Sequence, residues 1–309
     1  MSSPSTHSAG RDRAEILPTV ASLRDRLDPV RAQGRDVVLV PTMGALHEGH
    51  LSLVDRARSL DGLRQPFVLV SVFVNPLQFG PGEDFDVYPR DLEGDRAMLA
   101  ARGSDAVFAP SVGEMVGPDT LTRVTMEGLT DCLCGPRRPG HFDGVLTVVA
   151  RLFLVVRPSA AVFGQKDGQQ ALVIRRMVQD LGFPVRLVLG PTVREDDGLA
   201  LSSRNAYLSA ADRARAASLY AALRAVEESL REGERDVTAL EGIGRRVLED
   251  AGVDEVEYLE LRTVPDLEHP SVVRGRVMIA TAARVSGARL IDNLVLDVDR
   301  KGVREAMLF

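Results

Sequence analysis

Two cysteines in 309 residues are too few for a disulfide framework, and free thiols fit a reducing compartment. No stretch approaches the ~18 consecutive apolar residues of a membrane helix. There is no basic excess: the formal net charge is −6, which argues against a general nucleic-acid binder. Gly-x-x-x-x-Gly-Lys-[Ser/Thr] occurs nowhere, so phosphate is not held by a P-loop. Residues 1–13 are rich in Ser, Thr and Gly without an apolar run, a poor signal peptide. They read as a disordered tail in which His7 is idle, and the chain reads as soluble and cytoplasmic. No internal repeat is visible. A hydrophobic content of 45% is enough to pack one large domain or two of ordinary size.

What is present is organised around residues 37–57. Val37-Val38-Leu39-Val40 is short and β-branched enough for a buried strand. Pro41-Thr42-Met43-Gly44-Ala45-Leu46-His47-Glu48-Gly49-His50 follows, and Leu51, Leu53, Val54 and Ala57 then recur at helical spacing. A strand thus runs through a glycine-bearing turn into a helix N-terminus, where free N–H groups and the dipole favour phosphate. His47 and His50, three residues apart, share one face of the first turn. The pattern His-x-Gly-His after a strand marks nucleotidylyl transferases, which activate their substrates with ATP.

The chain ahead of this stretch reads as an amphipathic helix over 19–27. Behind it, Phe67–Val74 is an almost unbroken apolar run, as in a parallel strand covered on both faces. It delivers Asn75 and Gln78 to a strand's C-terminal end, the edge where open α/β sheets bind ligands, although either amide also suits a turn cap. Asp84, Asp86, Asp91 and Asp95 offer hard oxygens for Mg2+, or form a solvated face around a helix from about Leu92 to Arg102. Strand-like runs recur at Ala106–Ala109 and Thr122–Met126. Cys132-x-Cys134 lacks the second half of a structural zinc site and reads as ordinary thiols. Arg137, Arg138 and His141 either meet an anionic substrate or are solvated.

Val145–Val156 has helical spacing. Ala160–Phe163 is a short strand that empties into Gly164-Gln165-Lys166-Asp167-Gly168-Gln169-Gln170, followed by a helix over Ala171–Leu181. This is a second strand–turn–helix, with Lys166 as a point charge and Gln170 one turn along. After a strand at Val185–Leu189, a polar turn ends in Ser202-Ser203-Arg204, two hydroxyls and a guanidinium that suit a polyphosphate. Beyond residue 210 the β–α alternation stops. Helices over 210–232 and 236–251 precede strands at Val256–Arg262, Arg276–Ala283 and Ala288–Val298. The expected fold class is α/β, a Rossmann-like doubly wound parallel sheet over 14–196 with a smaller C-terminal α+β domain over 197–309. Two other readings compete: a different nucleotidylyl transferase, and a non-catalytic metal-binding protein built on His47, His50, Cys132, Cys134 and His141.

Six motifs in order then narrow the reading. They are Pro-Thr-Met-Gly-Ala-Leu-His-Glu-Gly-His at 41–50, Phe-Val-Asn-Pro-Leu-Gln-Phe at 73–79 and Tyr-Pro-Arg at 88–90, followed by Arg-Pro-Gly-His-Phe at 138–142, Phe-Gly-Gln-Lys-Asp at 163–167 and Asp-Gly-Leu-Ala-Leu-Ser-Ser-Arg-Asn at 197–205. With them the chain resembles the pantoate–β-alanine ligase family from about residue 15 to about residue 298.

The resemblance implies a Rossmann-like N-terminal domain, a C-terminal lid and a homodimer. It implies ATP- and Mg2+-dependent joining of pantoate to β-alanine through pantoyl adenylate, with no nucleic-acid or membrane partner. Carried over, ATP is bound by Met43, Gly44, Ala45, Leu46, His47, Glu48, Gly49 and His50, by Gly164, Gln165, Lys166 and Asp167, by the backbone at Val193, and by Leu201, Ser202, Ser203 and Arg204. His50 is the proton donor, and His47, Lys166 and Arg204 share the catalytic positions. Gln78, Gln170 and Asn75 meet the substrates. Asp95 is on the Mg2+ side; where the family often has a second acidic residue just before it, this chain has Gly94.

Overall fold

The computed structural model describes residues 14–309; the expected tail over 1–13 and His7 lie outside the described residues. The chain opens with a short strand β1 (Glu15–Leu17) and helix α1 (Val20–Ala32), whose start is fixed by a reciprocal Thr19–Ser22 capping box. Then come β2 (Val37–Thr42), α2 (Glu48–Arg58), β3 (Phe67–Val72), α3 (Leu92–Ala101) and β4 (Ala106–Phe108). Two short helices, α4 (Val112–Val116) and α5 (Cys134–Arg137), lead to α6 (His141–Val156), β5 (Ala160–Gly164), α7 (Gly168–Asp180) and β6 (Arg186–Gly190).

The six strands form one parallel sheet in the order β1-β4-β3-β2-β5-β6. Alternate residues of each strand face opposite layers. Val37 and Leu39 join the core under α1, α6 and α7, while Val38 and Val40 join the core under α2. From β2 the chain winds outward through β3 and β4, then returns to place β5 on the other side of β2. The connections therefore reverse direction between β2 and β5, and their C-terminal ends open a crevice there. This is the expected Rossmann-like arrangement.

The remaining chain forms α8 (Ala210–Glu232), started by a Ser209–Asp212 capping box, α9 (Val237–Asp250), and β7 (Glu255–Thr263), β8 (Gly275–Val285), β9 (Ala288–Asp299) and β10 (Gly302–Glu305). These strands make a separate antiparallel sheet in the order β10-β9-β8-β7. One face of it, with Leu259, Leu261 and Ile279, packs on α8 and α9. The other, with Tyr258, Met278 and Ala280, joins the core of the parallel sheet. The apolar interior therefore runs continuously from one sheet into the other.

The elements follow the sequence pattern apart from two unforeseen short helices, α4 and α5, an α7 that starts three residues early, and the following differences. Thr122–Met126 is not a strand: the Val124 N–H donates to Thr147 Oγ1 at 2.9 Å on α6, and Leu121 stands in solvent. β1 and β10, three and four residues long, are sheet edges too short to carry a readable alternation. Helix α6 starts four residues before the apolar spacing does, with His141 in its first turn.

Candidate active site

At the end of β2, Gly44 and Ala45 both take left-handed conformations, with φ of 82° and 51°. The turn aims two successive N–H groups at one point, a concavity suited to an anion. The chain fills it with its own carboxylate: Asp95, on α3, accepts from Ala45 at 3.0 Å through Oδ2 and from Leu46 at 2.8 Å through Oδ1. A Cβ on Gly44 would stand 2.9 Å from Asp95 Oδ2, so the glycine serves the close approach as well as the turn.

The chain then enters α2 with His47 as its N-cap, an unusual cap in which Nδ1 accepts from the Gly49 N–H at 3.2 Å. His47 and His50 lie side by side, ring centroids 4.1 Å apart. Glu48 turns away to pair with Arg102. Burial, then Lys166, brings the His47 pKa from 6.5 down to about 4; burial, then His47 and Lys166, brings His50 down to about 3. Both rings are therefore neutral at pH 7. They offer N–H donors rather than charge, and His50 Nδ1 is buried without a hydrogen-bond partner. The local positive charge comes instead from Lys166, which follows β5 across the crevice, half-buried and without a carboxylate within 4 Å among the described residues.

His50 and Lys166 open on a cavity of about 230 Å³, lined also by Met43, Gln78, Gln170 and Arg204 among others; His47 lies behind His50, outside this lining. Both amides at the end of β3 line the cavity, but Asn75 is the more heavily engaged by the protein. Asn75 is buried as the cap of the turn 76–78: its Oδ1 accepts from Leu77 at 3.0 Å, and its Nδ2 donates to Gly144 O at 3.0 Å and to Gln78 Oε1 at 3.1 Å. Similarly, Gln170 faces the cavity, whereas its neighbour Gln169 is turned to the backbone of Leu129, Cys132 and Cys134. The Val193 carbonyl accepts from the Leu201 N–H at 2.9 Å, which brings residues 201–204 back toward the crevice.

Several residues of the site take partners that the sequence did not indicate. Asp84 grips Arg204 with both oxygens, at 2.9 and 2.8 Å, and Glu83 grips Arg138 likewise, at 2.7 and 2.6 Å. Tyr88 OH lies 3.3 Å from Ser203 Oγ. The loop 80–90 is thus tied to two arginines from distant parts of the chain. From β9, Asn293 Nδ2 donates to Gln165 O at 2.9 Å and Lys166 O at 2.7 Å, and Asp292 forms a buried ion pair with Arg194 at 2.6 Å. The antiparallel sheet therefore braces the turn that carries the lysine.

The residues do not form a protein metal cage. Among the described residues no three His, Cys, Asp or Glu side chains are grouped to hold an ion. His141 faces the Gln78 carbonyl, and Cys134 Sγ lies 3.1 Å from Tyr258 OH, which separates the groups that a metal-binding reading would need together. Asp95, expected on the Mg2+ side, is buried, with each oxygen already accepting a backbone N–H; burial raises its pKa. As placed, it does not fit as a free-standing Mg2+ ligand.

Comparison with known proteins gives the family and the fold. The family described as pantoate-beta-alanine ligase matches residues 15–295. The pantothenate synthetase of Moorella thermoacetica is 48% identical over 285 residues, 92% of this chain and 99% of the relative. That of Thioalkalivibrio sulfidiphilus is 51% identical over 290 residues, 93% and 100% respectively. The crystal structure of the Thermus thermophilus pantothenate synthetase superposes with a TM-score of 0.85 at 51% identity, covering 91% of this chain and 98% of the other. The ligase of Francisella tularensis, solved in complex with beta-gamma ATP and beta-alanine, gives 0.75 at 31% identity, covering 91% and 97%.

Proposed function

Because the chain belongs to the pantoate–β-alanine ligase family, we propose that it joins pantoate to β-alanine at the expense of ATP, through a pantoyl adenylate, releasing AMP and pyrophosphate. The observation that carries this reading is the pair of neutral, half-buried histidines at the start of α2, facing across the switch between β2 and β5 a lysine that makes no ion pair with the described residues.

A carboxylate is a poor electrophile, and an amine does not displace its oxygen. Transfer of AMP supplies a leaving group. The pantoate carboxylate must be held against the α-phosphate while pyrophosphate departs. Lys166 and Arg204 supply the positive charge at the phosphate end. His50 donates to the oxygen that becomes pyrophosphate, where negative charge grows as the P–O bond breaks. Its neutral N–H suits this before ATP binds, and phosphate anions beside both rings raise their proton affinity once ATP is in place. Gln78 and Gln170 orient pantoate on the opposite wall, and Gln78 also meets β-alanine. The amine then attacks the acyl carbon and AMP leaves, so no enzyme nucleophile is needed.

Mg2+ would enter with the nucleotide and would supply positive charge to its phosphates; no step above depends on it. The division into 14–196 and 197–309, a cytoplasmic location and a homodimer belong to the same proposal. They are supported by the family resemblance, and the location also by two thiols that remain free.

The test is isotope exchange of pyrophosphate into ATP. Exchange is expected with pantoate and without β-alanine. Exchange that requires β-alanine, or that runs without pantoate, overturns the adenylate.

A further inference from the structure

Arg138 and His141 hold the same main-chain oxygen. His141 Nδ1 lies 2.9 Å from Gln78 O, and Arg138 Nη2 donates to that oxygen at 3.2 Å. A carbonyl cannot donate, so Nδ1 carries the ring proton. Nε2 is then left as the acceptor for Arg138 Nη1 at 3.1 Å. Burial first, and Arg138 second, bring the ring's pKa down to about 4, so the neutral form that this geometry requires is the one present at pH 7. Glu83 holds Arg138 from its far side.

The same end of α6 grips the turn in two more places. Asn75 Nδ2 links Gly144 O to Gln78 Oε1. A Cβ on Gly144 would collide with the Leu77 carbonyl and Gln78 N, so only glycine lets the turn lie this close. Against this firm mount, the Gln78 amide nitrogen itself has only a weak partner, Met43 Sδ at 3.0 Å. The main chain is fixed while the cavity-facing amide stays exchangeable.

From this juxtaposition we infer that His141 is a positioning residue: it fixes the Gln78 main chain so that the side-chain amide meets the carboxylate substrate already oriented. The inference rests on the reading of Gln78 as a pantoate contact. It assigns His141 neither a contact with the substrate nor a proton transfer.

Three substitutions in the full chain separate the possibilities. His141→Asn keeps an N–H on the same Cγ; His141→Gln carries its amide one bond farther out; His141→Leu has none. Steady-state kinetics are measured for each, alone and combined with Gln78→Ala. The KM for pantoate is expected to rise about tenfold in the Gln and Leu variants and to stay within about threefold of the parent in the Asn variant. The KM for ATP should remain within about twofold throughout, and in the Gln78→Ala background the His141 effect should vanish. If the Leu variant does not fold, the contrast between the two amides decides alone. Effects that add to Gln78→Ala, a KM for ATP that rises in step, or an Asn variant as impaired as Gln would overturn the assignment. If Gln78→Ala raises the KM for pantoate and the His141 variants do not, this inference alone fails. If Gln78→Ala itself leaves that KM unchanged, the reading of Gln78 fails and takes the inference with it.

Discussion

Arg204 turns one edge of its guanidinium to Asp84 and keeps the other for the cavity. Nε and Nη2 are engaged at 2.9 and 2.8 Å, while Nη1 makes no hydrogen bond to the described residues. Burial alone would raise the Asp84 carboxyl; the Arg204 contact prevails and holds it below its usual range. The pair aims the free edge rather than neutralising it. Asp84→Asn should therefore lower the single-turnover rate of adenylate formation about tenfold while leaving ATP affinity unchanged or tighter, since a competing charge is gone. Calorimetry and rapid quench measure the two quantities. A loss of ATP affinity as large as the loss of rate would show that Asp84 acts on binding, not aim.

Lys166 and Lys301 are the only lysines in the chain; the other 36 Lys/Arg positions are arginine. A chain so biased toward arginine retains lysine at the turn after β5, where a compact ammonium on a flexible stem fits and a planar fork does not. Lys166→Arg is expected to lower adenylate formation about 10²-fold, an effect of the size expected from misplaced charge, although the net charge is unchanged. A variant with near-parental turnover would mean that any cation suffices.

On the proposed mechanism, His50→Ala removes a donor that acts mainly as the leaving group departs. Adenylate formation in a single turnover should fall by about 10²–10⁴-fold, with the protein still folded. Given ready-made pantoyl adenylate, the variant should join it to β-alanine at close to the parental rate. Equal loss in both half-reactions would make His50 a shaper of the whole site instead of a donor to pyrophosphate.

Acid should weaken the fold before it protonates most carboxylates. His47, His50 and His141 have folded pKa values of about 4, 3 and 4, below the ordinary 6.5. Below pH 6.5 the unfolded chain takes up protons that the folded chain refuses. The stability present above pH 6.5 is therefore lost progressively as pH falls toward 4. Thermal melts should show a falling Tm between pH 7 and pH 5, with a shallower slope in His141→Asn. A flat Tm across that interval would contradict the neutral state of these three rings in the fold.

The parts legible in the sequence are those specified locally. Residues 37–58 and 160–180 show a strand, a turn and a helix within a single window, so the histidine and lysine turns and their shared crevice follow from spacing. The failures are of two kinds. Thr122–Met126 has a strand's alternation but finds Thr147 in place of a ladder partner, and no local pattern records which partner is on offer. Asn75 and Gln78 differ little as sequence signals; they separate only when Gly144, far along the chain, takes up the Asn75 amide. Asp84 with Arg204, and Asn293 with Lys166, are pairs that exist only after folding: the sequence marks Arg204 and Lys166, but nothing local names the partner of either.

The brace between Asn293 and the lysine turn also bears on the order of folding. It joins positions 127 residues apart, and Gln165, in the same turn, reaches 143 residues along the chain to bond Leu308. Closing such loops is slow in the search for the native state, because entropy is lost before the contacts form. A chain with its parallel sheet complete but β9 not yet docked would hold both histidines and the lysine without an organised phosphate end. During refolding, helical signal should return first and ligase activity later, with the interval set by docking of the antiparallel sheet.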